Sequence, residues 1–226
     1  MNKRTIIIDT LSKVGETVTV SGWVQTVRAH GKIAFLDLRD GSAVIQVGAF
    51  SPELAKQVAA LSQQDVVQII GKVKNRDERY VNKNLPTGTI ELEAESIRVV
   101  EKSAEMPFDM GGKDLHLELP TLLDYRSLTL RHERVRNIFL IQAALANEFR
   151  KAATALKCTE IFVPTIAAGA TEGGSEVFKV DYFGRDAYMT QSPQLYKQIM
   201  VPVLERVFTI TKAYRAEPSV TTRHLT

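Results

Sequence analysis

The residues that could do chemistry lie in four polar segments of the second half of the chain. These are residues 171–176 (TEGGSE), 191–198 (QSPQLYKQ), 214–217 (YRAE) and 221–225 (TTRHL). Each contains charged, hydroxyl or amide side chains, the groups with which proteins bind phosphate, carboxylate and ammonium groups. One such segment alone is typical of a surface loop. Four of them in a short stretch, each expected at the end of a strand, favour a binding site.

The common nucleotide-binding and hydrolase motifs are absent from the sequence. It has no G-x-x-x-x-G-K loop, no G-x-G-x-x-G, no H-E-x-x-H and no G-x-S-x-G. The single cysteine, Cys158, excludes an intrachain disulfide and any multi-cysteine zinc or iron–sulfur site. If the protein handles a nucleotide, it must bind it in another way.

The composition is that of a folded globular protein. Hydrophobic residues make up 44% of the 226 residues and charged residues 24%, which argues against disordered, collagen-like and coiled-coil chains. The net charge of +3 is too small to indicate nucleic-acid binding by itself. Basic residues cluster at 72–83 and at 126–136, a pattern that fits a solvated face as well as phosphate contacts.

No segment is typical of a membrane span or an export signal. No apolar run reaches the ~18–20 residues that cross a bilayer. Asp9 interrupts the amino-terminal apolar stretch too early for a signal peptide. We therefore expect a cytoplasmic protein without membrane contact.

The first hundred residues have the pattern of a small β-barrel. Strands are predicted at 17–24, 33–38, 43–47, 66–73 and 89–100. A helical stretch that starts with Pro52 lies between the third and fourth of them. Three strands, a helix and two more strands predict the five-stranded Greek-key barrel called the OB-fold. The fold alone does not identify the ligand, because this barrel serves many.

The second half reads as a mixed domain. Its longest helix is predicted at 133–157, with apolar side chains along one face. Strand patterns follow at 161–166, where Pro164 interrupts the ladder, and at 206–213. Because the last strand runs into an open polar loop, we expect the chain to be the front part of a longer protein.

The fold class predicted from these patterns is α+β, in two domains. The barrel domain is expected at 1–103 and a mixed domain at 133–226. Residues 104–132 are punctuated by proline and glycine and are expected to form the hinge between them.

Taken in order, the long helix, the strand interrupted by proline and the four polar segments closely resemble class II aminoacyl-tRNA synthetases of the aspartyl/asparaginyl branch. Within that branch, TEGGSE and QSPQLYKQ are most similar to the aspartyl enzymes of archaeal and eukaryotic type. The predicted barrel, with its Gly22-Trp23-Val24 strand, is similar to the anticodon-binding domain of the same family. The resemblance covers essentially the whole chain. It implies a ligase for aspartate and tRNA, with an antiparallel-sheet catalytic domain that breaks off within the second family motif.

The resemblance also implies an ATP site. The second motif of the family is a strand with phenylalanine followed by Arg-x-Glu, here Phe208 and 215–217. Arg215 then contacts the α-phosphate and is the residue expected to act in catalysis, and Glu217 lies near the adenine or the adenylate. Arg223 and His224 match the positions that hold the terminal phosphates. The substrate's own carboxylate attacks phosphorus, so positioning and charge neutralisation by Arg215 and Mg²⁺ suffice.

Five further positions match the amino-acid site of the family. Glu172 is expected to bind the substrate ammonium, and Gln194 to orient the substrate by hydrogen bonds. Lys197 matches the lysine that meets the side-chain carboxylate of aspartate, and a neutral asparagine would leave this ammonium unpaired. Ser175 and Gln191 are expected as secondary contacts.

The barrel carries the expected tRNA contacts. Phe35 and Gln46 match the family residues that stack on and hydrogen-bond an anticodon base, and Arg28 matches a contact to a base or to the backbone. The basic cluster at 72–83 would then meet phosphates. Phe35 alone is also compatible with an ordinary core aromatic.

The first family motif, a long helix followed by a strand that ends in proline, forms a dimer interface in the family. Residues 133–164 match it, so a homodimer is expected. The third motif and the usual magnesium carboxylates are absent, and these residues alone are not expected to form adenylate or to hold a metal. An asparaginyl-tRNA synthetase and a non-catalytic tRNA-binding fragment or paralogue remain the alternatives.

Overall fold

The computed structural model describes residues 3–112, 114–169 and 176–216. The chain separates into two compact units, Met1–Arg134 and Val135–Thr226. None of the described helices is long and apolar enough to cross a bilayer.

The first unit contains a closed five-stranded barrel. Its strands are β1 (Thr17–His30), β2 (Ile33–Arg39), β3 (Val44–Ala49), β4 (Val66–Asn75) and β5 (Ile90–Glu101). They pair in the order β1-β2-β3-β5-β4, and β4 pairs back to β1. Every pairing is antiparallel except that between β3 and β5. This order confirms the predicted OB-fold barrel.

The barrel forms because its strands alternate apolar and polar side chains. In β2, for example, Ala34, Leu36 and Leu38 are fully buried, whereas the residues between them are partly exposed. At Gly71 the register of β4 against β5 shifts, and an added Cβ would collide with the Glu93 carbonyl. Only glycine permits such a close approach of two backbones.

One helix packs its apolar side against the barrel. α1 (Pro52–Ala59) lies between β3 and β4, starts with proline and is capped by Ser51, whose Oγ accepts a hydrogen bond from the Leu54 N–H at 3.2 Å. It packs Ala55 and Val58 into the barrel core. The helix predicted at this place is confirmed, and its buried side chains belong to the barrel core.

Residues that follow β5 pack onto the same unit. Asp65 accepts hydrogen bonds from the Ser103 N–H and the Lys102 ammonium at 2.8 and 2.9 Å. The guanidinium carbon of Arg131 lies 5.8 Å from the ring centre of Trp23 in β1. Two short helices, α2 (Leu119–Asp124) and α3 (Arg126–Thr129), precede that arginine. The residues expected to form a hinge therefore belong with the barrel, and the exact domain limits stay a prediction.

The second unit is built around one long helix. α4 (Glu133–Ala155) is followed by α5 (Gln194–Leu204). Five short strands accompany them: β6 (Thr159–Glu160), β7 (Ile166–Ala167), β8 (Lys179–Tyr182), β9 (Arg185–Met189) and β10 (Val207–Phe208). β6 and β10 pair in parallel, and β7, β9 and β8 form a separate antiparallel sheet.

Two strand predictions in this unit were too long. Residues 161–165 are not in a strand, because Pro164 has no N–H to contribute to a ladder. Of the strand predicted at 206–213, only β10 pairs within the described part of the chain.

Candidate nucleic-acid interface and substrate segments

The barrel carries a pocket of about 460 Å³ on its outer surface. It lies where β1, β2 and β3 run side by side and meet β5 and the loop that follows β4. Its wall combines aromatic rings, guanidinium groups, carboxylates and one amide. The lining residues are Arg28, Phe35, Gln46, Phe50, Arg76, Asp77, Tyr80 and Glu91.

The charge at one side of the pocket is organised around Asp37. The Arg28 guanidinium donates two hydrogen bonds to its carboxylate, at 2.6 and 2.9 Å, and the Thr26 hydroxyl donates a third. This bidentate hydrogen bond raises the pKa of Arg28 above its usual value, and the nearby charge of Asp37 adds to the effect although burial opposes it. Arg28 is therefore held as a fixed cation at the pocket rim.

The amide of Gln46 is oriented by charged neighbours. Its Oε1 accepts a hydrogen bond from the Arg76 guanidinium at 2.9 Å, and its Nε2 donates to the Glu91 carboxylate at 3.0 Å. The amide nitrogen carries two hydrogens, so one N–H remains to be offered to a ligand. Gln46 can thus act as a hydrogen-bond donor of defined direction.

Two phenylalanines form the aromatic wall. Their rings, from Phe35 in β2 and Phe50 after β3, meet edge to face with centres 5.8 Å apart and planes at 83°. Phe50 lies against Gly48, where an added Cβ would overlap its ring. The glycine therefore lets the Phe50 ring lie close to the strand and fix the orientation of Phe35.

The structure brings the three residues expected to contact tRNA, Arg28, Phe35 and Gln46, into this one pocket. Sequence reasoning missed the roles of Phe50 and Glu91 in its wall. It placed Arg76 only in a general basic cluster at 72–83. Within that cluster, Lys74 pairs with Glu93 and Arg79 with Asp77. Carboxylates of the barrel unit itself therefore already neutralise part of the charge of the cluster.

In the second unit, the segments that carry two predicted contacts, Gln191 and Arg215, meet at the backbone of Glu176. Its carbonyl accepts a hydrogen bond from the Gln191 amide at 3.4 Å and from the Ala216 N–H at 3.2 Å. The Tyr214 N–H donates to the carbonyl of Thr190 at 2.9 Å. The segment that carries Arg215 thus runs beside the one that carries Gln191, and the Arg215 side chain is exposed.

Gln194 and Lys197 lie on the first turn of α5, three residues apart. The Gln194 N–H is bound by the Ser192 hydroxyl at 3.2 Å, and the Lys197 N–H donates to the Pro193 carbonyl at 3.1 Å. The Lys197 side chain is half-buried. None of the ion pairs among the residues that the structure describes includes its ammonium group.

Within 3–112, 114–169 and 176–216, no three histidine, cysteine, aspartate or glutamate side chains are grouped in a way that could hold a metal ion.

Comparison with known proteins matches both halves of the chain. Residues 18–100 fit the family model of the OB-fold nucleic acid binding domain, and residues 118–226 fit that of the class II tRNA synthetases (D, K and N). An aspartate–tRNA(Asp/Asn) ligase of Haloferax volcanii is 43% identical over the whole of this chain, which covers 51% of that protein. Residues 118–226 thus resemble the class II tRNA synthetases, and residues 18–100 the OB-fold nucleic acid binding domains.

Two solved synthetase structures resemble this chain. Asparaginyl-tRNA synthetase from Pyrococcus horikoshii, complexed with asparaginyl-adenylate, matches 99% of the chain with a TM-score of 0.84 at 29% identity. Aspartyl-tRNA synthetase from Entamoeba histolytica matches all of it with a TM-score of 0.76 at 27% identity. The chain covers 51% and 48% of these two proteins, and it spans about half the length of the curated relatives it matches.

Several synthetase residues expected from the motifs lie outside the described residues. They are Glu172, Ser175, Glu217, Arg223 and His224. Their roles, and those of Gln191, Gln194, Lys197 and Arg215, stay predictions.

Proposed function

We propose that this chain is part of a ligase that activates aspartate with ATP to aspartyl-adenylate and transfers the aspartyl group to the 3′ end of tRNA. The observation that carries the proposal is the 43% identity, over the whole chain, to the Haloferax aspartate–tRNA(Asp/Asn) ligase.

The barrel pocket supports the tRNA part of the proposal. An unstacked base of an anticodon loop binds an aromatic face and a few hydrogen-bonding groups, which Phe35 and the Gln46 amide supply. Arg76 adds positive charge for the backbone phosphates, whereas the charge of Arg28 is balanced by Asp37. A neutral apolar ligand would leave these groups unused.

The second unit supports the activation step. The aspartate α-carboxylate attacks the α-phosphorus of ATP, a P–O bond forms, and the bond to the pyrophosphate leaving group breaks. No protein nucleophile takes part, so the task of Arg215 is to bind the α-phosphate and stabilise its growing charge. Lys197 binds the substrate's side-chain carboxylate, and asparagine would leave that ammonium without a counter-charge.

ATP and Mg²⁺ belong to the proposal for the whole protein. Mg²⁺ prefers carboxylate oxygens together with phosphate oxygens of the substrate, and bound there it would neutralise phosphate charge. Glu172, Gln194, Ser175 and Gln191 are proposed to hold aspartate. Glu217, Arg223 and His224 are proposed to hold the nucleotide.

A homodimer through residues 133–164 is proposed as well. On α4, the side chains of Ile138, Ile141 and Leu145 are 62%, 60% and 66% exposed. A contiguous apolar face of this kind is normally covered by another protein surface, and two copies of one helix make a symmetric interface.

An asparaginyl-tRNA synthetase is the second candidate, because the Pyrococcus asparaginyl enzyme matches the fold with a TM-score of 0.84. A tRNA-binding protein without catalysis is the third. The experiment reads the gene beyond codon 226 and tests its complete product in ATP–pyrophosphate exchange with each amino acid. We expect exchange with aspartate alone. Exchange with asparagine alone would favour the second candidate, and a stop codon after Thr226 the third.

The choice of tRNA needs its own measurement. Aspartylation of aspartate tRNA and of asparagine tRNA by the same product separates an enzyme that charges one from an enzyme that charges both. The Haloferax relative is named for both.

A further inference from the structure

Tyr80 lies in the wall of the barrel pocket but is not part of the core. Its side chain is 64% exposed, against 44% for Phe50 in the same wall. Stabilisation by burial scales with the apolar area removed from water, so a ring this exposed contributes little to the fold. Packing therefore does not explain why a tyrosine stands at this position.

The turn that carries Tyr80 is braced by Asp77. The Asp77 carboxylate accepts hydrogen bonds from the Arg79 N–H at 3.2 Å and from its guanidinium at 3.2 and 3.0 Å. The Tyr80 N–H donates to the Asp77 carbonyl at 2.8 Å and closes a single 3₁₀ turn, Glu78–Tyr80. The exposed ring is thus presented from a fixed backbone.

A cation accompanies the ring. The guanidinium carbon of Arg79 lies 5.7 Å from the ring centre of Tyr80, within the range of a cation–π contact. An arginine guanidinium beside an aromatic platform is a combination that single-stranded nucleic acids bind, although the Asp77 carboxylate balances the charge of this one.

Tyr80 and Phe35 reach the pocket from different elements. Phe35 comes from β2, and Tyr80 from the loop between β4 and β5. The pocket volume of about 460 Å³ falls in the range of ~300–1,000 Å³ for pockets that hold drug-sized ligands. Two aromatic platforms in such a space can hold two neighbouring bases.

We propose that Tyr80 is a second stacking platform of this pocket: the RNA base adjacent to the one held at Phe35 stacks on the Tyr80 ring, which Arg79 holds in place. The inference rests on the proposed binding of tRNA by the barrel. It assigns a base-binding role to a residue that the family resemblance did not indicate.

The test uses the 226-residue chain and the anticodon stem-loop of an aspartate tRNA with 2-aminopurine at the first, second or third anticodon position. The fluorescence of this base falls when it stacks on an aromatic ring. Alanine replacement of a stacking residue weakens single-strand binding by about 5- to 150-fold. We expect the affinity of Tyr80→Ala for the stem-loop to fall by a factor in that range. The 2-aminopurine fluorescence should be recovered at one anticodon position only. Phe35→Ala should recover it at the neighbouring position, and Tyr80→Phe should bind like the unaltered chain.

Tyr182→Ala is the matched control, since this tyrosine is 54% exposed and lies in the second unit; its binding should be unchanged. Unaltered binding by Tyr80→Ala would overturn the stacking role and leave the tRNA proposal intact if Phe35→Ala still weakens binding. A loss as large for Tyr80→Phe as for Tyr80→Ala would also overturn it, because the hydroxyl and not the ring would then be the contact. If the unaltered chain does not bind the stem-loop, the proposed function and this inference both fail.

Discussion

The two units of the chain bury their apolar residues in different ways. The barrel closes its sheet on itself and encloses a continuous core, with Leu36, Ile45 and Leu92 fully buried. In the described part of the second unit, the buried hydrophobic residues are Ala153, Ile161, Ala187 and Phe208. The barrel therefore satisfies its own packing, whereas the second unit leaves apolar side chains of α4 exposed, among them Ile138, Ile141 and Leu145.

The same contrast appears in the strands. β1 and β5 extend over 14 and 12 residues and pair on both sides, whereas β6, β7 and β10 each contain two residues. Long ladders with both edges paired hold side chains in fixed places. The barrel pocket, which barrel residues line, is thus preformed. The substrate segments of the second unit lack such ladders, and we expect their conformation to depend more on contacts with residues outside that unit.

The largest expected effect is the loss of barrel packing in Leu36→Ala. Removing a fully buried leucine side chain leaves a cavity and lowers the free energy of unfolding by about 2–5 kcal/mol. Urea denaturation followed by the fluorescence of Trp23, the single tryptophan of the chain, measures it. The control is Ile33→Ala on the same strand, where the side chain is 37% exposed and the loss should stay near 1 kcal/mol or below. Similar losses for both variants would contradict a preformed barrel core.

The second prediction concerns the apolar face of α4. Leu145→Glu places a carboxylate in the proposed interface of both copies, and burying an unpaired charge is costly. We expect the dissociation constant of the dimer to rise by about 100-fold, which is about 2.7 kcal/mol, while the Trp23 unfolding midpoint stays unchanged. Sedimentation velocity over a range of concentrations gives the constant.

Asn147→Glu is the matched control, because Asn147 is exposed on the same helix and lies on the side opposite Ile138 and Leu145. A dimer weakened equally by both substitutions would point to general charge repulsion. A chain that is monomeric at all concentrations would show that its α4 face is covered by something other than a second copy.

Sequence reasoning was most accurate where structure follows from local patterns. The alternation of apolar residues gave the five barrel strands, and Pro52 gave the start of α1. It could not give the parallel pairing of Val47 with Leu92 that closes the barrel, because no local pattern encodes which distant strands meet. Family motifs supplied Phe35 and Gln46, but not Glu91, which reaches Gln46 from 45 positions further along the chain.

The errors in the second unit have a common physical cause. Apolar residues at 161–166 and 206–213 look like strand residues, but a strand also needs a partner for its N–H and C=O groups. Within the described residues, only Ile166 of the first stretch and Val207–Phe208 of the second pair with another strand. Tyr80 was missed for a different reason. It lies in a loop, where no periodic pattern is available and function depends on the exact turn.

The smallest expected effect is in the acid sensitivity of the two units. Asp40 is buried, which raises its pKa, but hydrogen bonds from the Ser42 hydroxyl and from the N–H groups of Ile7, Ser42 and Ala43 outweigh burial and leave the pKa below its usual value. Burial also raises the pKa of Asp65, but hydrogen bonds from Ser62, Lys102 and Ser103 outweigh this effect and leave the pKa below its usual value. A lowered pKa in the folded state adds stability that is present above the unfolded value, near about 4, and is lost as the pH falls through the folded value. The barrel should therefore lose stability progressively below about pH 4.

Asp40→Asn tests this assignment. The amide cannot accept all of these hydrogen bonds, so we expect the free energy of barrel unfolding at pH 7 to fall by about 1–2 kcal/mol and its decline below about pH 4 to become shallower. Thermal unfolding from pH 2.5 to 7, followed by Trp23 fluorescence, gives both quantities, and Asp9→Asn at an exposed carboxylate should change neither. The far-UV helical signal, to which α4 contributes the longest described helix, reports on the second unit in the same samples. If the helical signal is lost at a higher pH than that at which the Trp23 fluorescence changes, the second unit unfolds first on acidification. The lowered carboxylate pKa values of the barrel would then not determine the pH at which the chain begins to unfold.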